Sequence, residues 1–135
     1  TTYYRALVTS GVCASATTAS VTITVNPTSV SGSIAGATTV CSGTNTSVLT
    51  LSGNTGTIQW QSSTDNISFT NINGVTASTF TATNLTATTY YRAVVQSGSC
   101  TAANSGTASI TVTNCVEANP DNPAPYHRQA KSRSL

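Results

Sequence analysis

The chain has 135 residues and a formal net charge of +2, and only 6% of its residues are charged, against about 25% in an ordinary globular domain. Thr, Ser and Asn together fill 58 of the 135 positions. A net charge this small offers no basic stripe for nucleic acid, and no run of 18 apolar residues suits a membrane-spanning helix.

No charged-then-apolar leader opens the chain, so an export signal is expected to have been removed or to lie outside this stretch. From residue 1 to 116 the only acid is Asp65 and the only bases are Arg5 and Arg92; Glu117, Asp121, His127, Arg128, Lys131 and Arg133 gather in the last 19 residues. Acid–base and nucleophilic catalysis need titratable groups placed together. A body with one carboxylate and no histidine assembles no triad, carboxylate pair or His-based metal site. The expectation is a non-enzyme without cofactor.

An internal repeat organises the chain. Residues 1–25 align without a gap on residues 88–112 at an offset of 87, with 14 of 25 positions identical. Thr1 falls on Thr88, Tyr3 on Tyr90, Arg5 on Arg92, Cys13 on Cys100 and Val25 on Val112. The expected division is 1–27 as the closing hairpin of a truncated preceding repeat, 28–113 as one complete repeat, and 114–135 as a tail or linker.

Within the complete repeat, period-two alternation and turn residues mark the strands. Val48–Leu51 places Leu49 and Leu51 on one face, and Gly53-Asn54-Thr55-Gly56 turns the chain. Thr57–Ser62 sets Ile58 and Trp60 opposite Gln59 and Gln61. Asp65-Asn66 turns into Ser68–Ile72, Asn73-Gly74 is a two-residue turn signal, and Thr79–Thr83 is a strand around Phe80. In Thr89–Gln96, Arg92 faces water with Tyr90 and Val94, so Tyr91, Ala93 and Val95 point inward. Ala108, Ile110 and Val112 form the inward face of the last strand. About seven short strands without helical periodicity indicate an all-β sandwich, with Trp60, Leu49, Leu51, Tyr91 and Ile110 as its core. Abundant Thr fits the solvent face of pleated strands; Thr22/Thr24, Thr81/Thr83 and Thr111/Thr113 are isolated pairs, too few for an ice-binding array.

Four Cys and no Met in a small sparse core suggest an oxidising compartment. Within the complete unit the natural pair is Cys41 with Cys100, closing a loop of about 60 residues worth roughly 4 kcal/mol in chain entropy. A Cys13–Cys41 bridge across the junction is left open, whereas an extended strand separates Cys100 from Cys115. Cys13 and Cys115 are the candidate unpaired or inter-domain thiols. No Cys-x-x-Cys spacing points to a metal. Trp60 reads as core rather than a sugar platform, Arg92 with Tyr90 as a surface cation–π pair, and Asp65-Asn66 as a turn rather than a cation site. Asn45-Thr46-Ser47, Asn66-Ile67-Ser68 and Asn84-Leu85-Thr86 match the glycosylation pattern, as chance produces in a chain this rich in Asn, Thr and Ser. The body has no Lys, so it cannot close a Lys–Asn isopeptide bond.

Val40-Cys41-Ser42-Gly43, Gln59-Trp60-Gln61-Ser62-Ser63-Thr64-Asp65, Phe69, Asn73-Gly74-Val75-Thr76, Thr88-Thr89-Tyr90-Tyr91-Arg92 and Ser97-Gly98-Ser99-Cys100 form a set. As a set they resemble the Ig-like repeats of very large secreted surface proteins of Bacteroidota-type bacteria. The resemblance covers 1–25 and 28–113. It implies an extracellular Ig-like β-sandwich array exported by the type IX secretion route, serving adhesion, gliding or display, with Cys41 paired to Cys100 and no catalytic residues. The separate C-terminal secretion domain of that route has no match here.

Two functions are therefore weighed. One is a structural spacer or adhesion module in an extracellular array, partnered by neighbouring repeats. The other is a binding or assembly module. Its apolar Leu7, Ile23 and Val25 would be covered by another subunit, or its loops would take surface glycans. The Pro-containing tail (Pro120, Pro123, Pro125) reads as a linker.

Overall fold

The computed structural model of the chain describes residues 1–115. These form an all-β structure with no helix among the described residues, built from thirteen short strands in chain order. The first four, β1 (Thr2–Tyr4), β2 (Leu7–Val8), β3 (Ala16–Thr17) and β4 (Val21–Ile23), make one irregular hairpin in which β1 pairs with β4 and β2 with β3. The complete repeat follows with β5 (Ser33–Ala35), β6 (Thr38–Cys41), β7 (Thr46–Ser52), β8 (Thr57–Ser63), β9 (Thr70–Asn71), β10 (Thr79–Thr83), β11 (Thr89–Gln96), β12 (Ala103–Asn104) and β13 (Ala108–Thr113).

Two sheets carry the repeat. One has the order β10-β7-β5; the other runs β6-β13-β11-β8-β9, with β12 paired to β11 beside β13. Alternation along each strand decides what lies between them. In β7, Ser47, Leu49 and Leu51 are buried while Val48 and Thr50 face solvent. In β11, Tyr91, Ala93 and Val95 are buried, as the alternation predicts, and Ala108 and Ile110 of β13 join them. Trp60 in β8 is fully buried and forms an aromatic chain across the sandwich. Its ring lies 5.8 Å from Phe80 of β10, which lies 5.2 Å from Tyr91. The indole N–H donates to the Ala77 carbonyl at 2.9 Å, so its one polar atom costs nothing on burial. All five expected core residues are buried.

Differences from expectation follow from local chemistry. Strands β5 and β6 carried no alternation signal. They are short and rich in Ser, Thr and Ala, and they are one stretch that changes sheets: β5 pairs with β7, β6 with β13. Gly36 makes the switch at φ +105°, where a Cβ would run into the Val48 carbonyl. Asn73-Gly74 does form a turn, with Val75 N–H donating to the Ile72 carbonyl at 3.2 Å and Gly74 at φ +76°. It joins no hairpin, however; Ile72 and Val75 both hydrogen-bond the Trp60 backbone and close over β8.

The expected Cys41–Cys100 bridge is not formed. Cys41 is bonded to Cys115, with Cα atoms 5.3 Å apart, and Cys13 and Cys100 are free. Strand topology explains the correction. β6 runs parallel to β13 with Cys41 opposite Thr113, so Cys115, two residues on, arrives beside Cys41. Thr89, not Gln96, is the end of β11 on that side, because Thr89 pairs with Ile110. Cys100 follows Gln96 at the opposite pole, and the length of β11 alone separates the poles by roughly 20 Å, far beyond the ~7 Å a disulfide spans. Cys115, expected to be an unpaired or inter-domain thiol, is thus the structural partner.

Candidate functional site

Among the described residues no group of three or more His, Cys, Asp or Glu comes together, and no pocket opens. No helix of the described residues is long and apolar enough to cross a membrane. The polar and cysteine residues singled out above occupy separate places: the outer face of β8, β9 and β11, the turn after β8, and the two ends of the sandwich. The charged tail residues from Glu117 onward lie outside the described residues.

On the outer face, register puts Arg92 opposite Gln61, and Gln61 opposite Asn71. Arg92 Nε donates to Gln61 Oε1 at 2.7 Å, and Gln61 Nε2 donates to Asn71 Oδ1 at 2.7 Å. The guanidinium lies 4.2 Å above the centre of the Phe69 ring. The cation–π partner is therefore Phe69 and not Tyr90. Tyr90 shares the face of β11 with Arg92 but does not lie beneath the guanidinium, whereas the turn after β8 folds Phe69 back over the sheet. Phe69→Ala and Arg92→Ala are each expected to cost about 0.5–1 kcal/mol. In urea unfolding the double variant should lose clearly less than the sum, the sign of a shared contact.

Asp65 terminates β8 as a turn residue. Its Oδ1 accepts from Ser63 Oγ at 2.7 Å and from the Ile67 and Ser68 N–H groups at 2.8 Å each, with Asn66 at φ +58°. The Ser63 hydroxyl first, then the two backbone donors, hold its carboxyl well below the ordinary value of 3.8. A depressed folded-state value means the stabilisation is complete above the unfolded-state pKa and drains away as pH falls through and below about 4. The gap in urea midpoint between the native chain and Asp65→Ala should be widest at neutral pH and narrow steadily below pH 4. An unchanging gap down to pH 2 would show that the ionised carboxylate is not what holds the turn.

Asn45, which the sequence marks only as part of a chance glycosylation match, has a structural role. Its Nδ2 donates to the carbonyls of Cys41 (2.8 Å) and Leu85 (2.7 Å), and its Oδ1 accepts from Leu85 N–H at 2.9 Å. The amide clamps the end of β6 to the connection between β10 and β11, and both its donors are committed, which leaves it unsuited to carry a glycan. The available signal was an Asn following Ser42-Gly43-Thr44, a turn composition that favours side-chain-to-backbone bonding.

Among the described residues, eight of the eleven exposed large hydrophobic residues lie in residues 1–25, which carry the hairpin of β1–β4; that hairpin reproduces the register of β11–β13. Thr2 pairs with Ile23 as Thr89 does with Ile110, and Val8 with Ala16 as Val95 does with Ala103. Even the break between the ladders is copied. Ala6 N–H donates to Thr18 Oγ1 and Thr18 N–H to the Ala6 carbonyl, as Ala93 and Ser105 do. Burial differs completely: Tyr4, Val8 and Ile23 are 58%, 58% and 53% exposed, while Tyr91, Val95 and Ile110 are 3%, 0% and 0% exposed.

Both copies fall within one family match. A family model covers residues 1–27 and 30–114, most of the chain. The chain belongs to DUF8696. That family is described as a domain of unknown function, so it carries no activity over to this chain. Comparison with curated proteins and with solved structures found no match. The DUF8696 match also spans the linker-proximal residues Asn26 and Pro27, which pack on the complete repeat. Cys100 Sγ lies 3.5 Å from the Pro27 carbonyl oxygen, Ser97 N–H donates to Ser29 Oγ at 2.9 Å, and a Cβ on Gly98 would meet the Asn26 side chain.

Proposed function

We propose that this chain is a non-enzymatic structural module of a tandem array in an extracellular bacterial surface protein, supplying length and a neutral surface to an adhesin-like parent. The single observation that carries this reading is the duplication of β11–β13 by β1–β4, register for register, with the apolar face of the copy left open. A hairpin that keeps the closing geometry of a sandwich is a repeat element, and its neighbours are other repeats. The order β5-β7-β10 against β8, β11 and β13, with a buried Trp on β8, favours an Ig-like arrangement. The Cys41–Cys115 disulfide supports an oxidising, extracellular setting.

The open hairpin face also favours a second reading, in which β1–β4 docks on another subunit. Light scattering of the full chain without reductant separates the two. The spacer reading expects a monomer. Oligomers that revert to monomers with Ile23→Asp would replace it by the assembly reading.

A further inference from the structure

We infer that in an array of this repeat, Cys41 of one repeat forms a disulfide with Cys100 of the repeat that follows, and that Cys115 takes the place of that partner where the repeat pattern stops. The inference rests on the tandem-array reading above and adds a covalent link across each junction.

The argument is positional. Under the offset of 87 residues, Thr113 corresponds to Asn26 and Cys115 to Thr28. In the complete repeat, Cys41 lies opposite Thr113, Ser42 N–H donates to the Thr113 carbonyl at 2.9 Å, and Cys41 is bonded to Cys115. The Cys41 of a preceding repeat therefore lies opposite Asn26 and next to Thr28, which has no sulfur to offer. The turn of the complete repeat sits on this same spot. Gly98, at φ +53°, packs on the Asn26 side chain, and the free Cys100 thiol lies 3.5 Å from the Pro27 oxygen. Bond lengths then place Cys100 Sγ within about 6 Å of the Thr28 Cα. Two cysteines that sit at opposite poles of one repeat thus meet at the junction between two. Cys13, the repeat equivalent of Cys100, is free for the same reason: its partner would be the Cys41 of the repeat before its own.

The chemistry needs a disulfide donor, for which oxidised glutathione serves. The Cys100 thiolate attacks it, releasing one glutathione and leaving a mixed disulfide; the Cys41 thiolate then displaces the second glutathione. Two thiols lose two protons and two electrons, and one glutathione disulfide becomes two glutathione thiols.

The test places an added copy of residues 28–87 ahead of Thr1 in the full chain, giving two complete repeats, refolded in a glutathione redox buffer. Peptide mapping without reduction should recover the added copy's Cys41 joined to Cys100, Cys41 joined to Cys115, and Cys13 alone as a labelled thiol. A second cooperative unfolding step reports on the array reading separately. If the added copy folds but its Cys41 remains free or joins Cys13, the inference fails and the array reading stands. An added copy that stays unfolded overturns both. The 135-residue chain gives an arm that needs no added repeat: Thr28→Cys should bond to Cys100 in the same buffer, and two thiols left free there would overturn the junction geometry.

Discussion

Trp60→Ala is expected to remove about 3–5 kcal/mol from the stability of the repeat, the usual range for deleting a buried aromatic side chain. Trp60 is fully buried, is stacked within 5.8 Å of Phe80, and ties the segment after β9 to β8 through its bond to the Ala77 carbonyl. The sandwich has nine buried apolar residues, three of them alanines, so Trp60 is a large share of a small core. Stabilities of about 0.05–0.15 kcal/mol per residue give a repeat of this size roughly 4–13 kcal/mol in total. The loss is thus a large fraction of everything available. Urea unfolding followed by far-ultraviolet circular dichroism should show the midpoint falling by about 2 M or more, or no folded baseline at all. Trp60→Phe keeps a ring beside Phe80 and should lose clearly less. A Trp60→Ala protein with an unshifted midpoint would return the side chain to the surface role that its strand parity argues against.

Parity was legible because it is local. Leu49, Leu51, Trp60, Tyr91 and Ile110 reveal their faces within six or eight residues of their own strands, and β10 and β11 have the bounds that alternation gave them. What escaped depends on pairing between distant segments. The β5–β6 stretch has no alternation to read, since its residues are small and its pairing changes partner at Gly36. Arg92 has two aromatic residues beside it in sequence and stacks on a third, Phe69, brought over by the Asp65 turn. The disulfide, too, depends on distant pairing. Repeat symmetry singles out Cys13 and Cys100, yet Cys115 has no counterpart, and only the parallel ladder between β6 and β13 brings it to Cys41. The open face of β1–β4 was legible as sequence, because fourteen identities in 25 positions cannot place a hairpin in a different fold without breaking its pairing pattern.

Breaking the Cys41–Cys115 bond is expected to cost about 2–4 kcal/mol. The bond closes a loop with a sequence separation of 74 residues, and constraint of the unfolded chain alone gives about 4 kcal/mol for a loop of that length. Its position adds a structural reason. β6 is the edge of its sheet and is held by its parallel ladder to β13, by the Asn45 amide, and by this one covalent link. Cys41→Ser, Cys115→Ser and the double variant should therefore lose the same amount, because each removes the same bond. The slope of urea unfolding should rise in all three as the freed chain exposes more surface. Cys100→Ser and Cys13→Ser should leave midpoint and slope unchanged. Equal losses from Cys41→Ser and Cys100→Ser, with Cys115→Ser silent, would restore the bridge that the repeat pattern suggested and refute the one the strand order provides. The Cys41–Cys115 bond holds the edge strand β6 beside the end of β13, at the pole opposite Cys100.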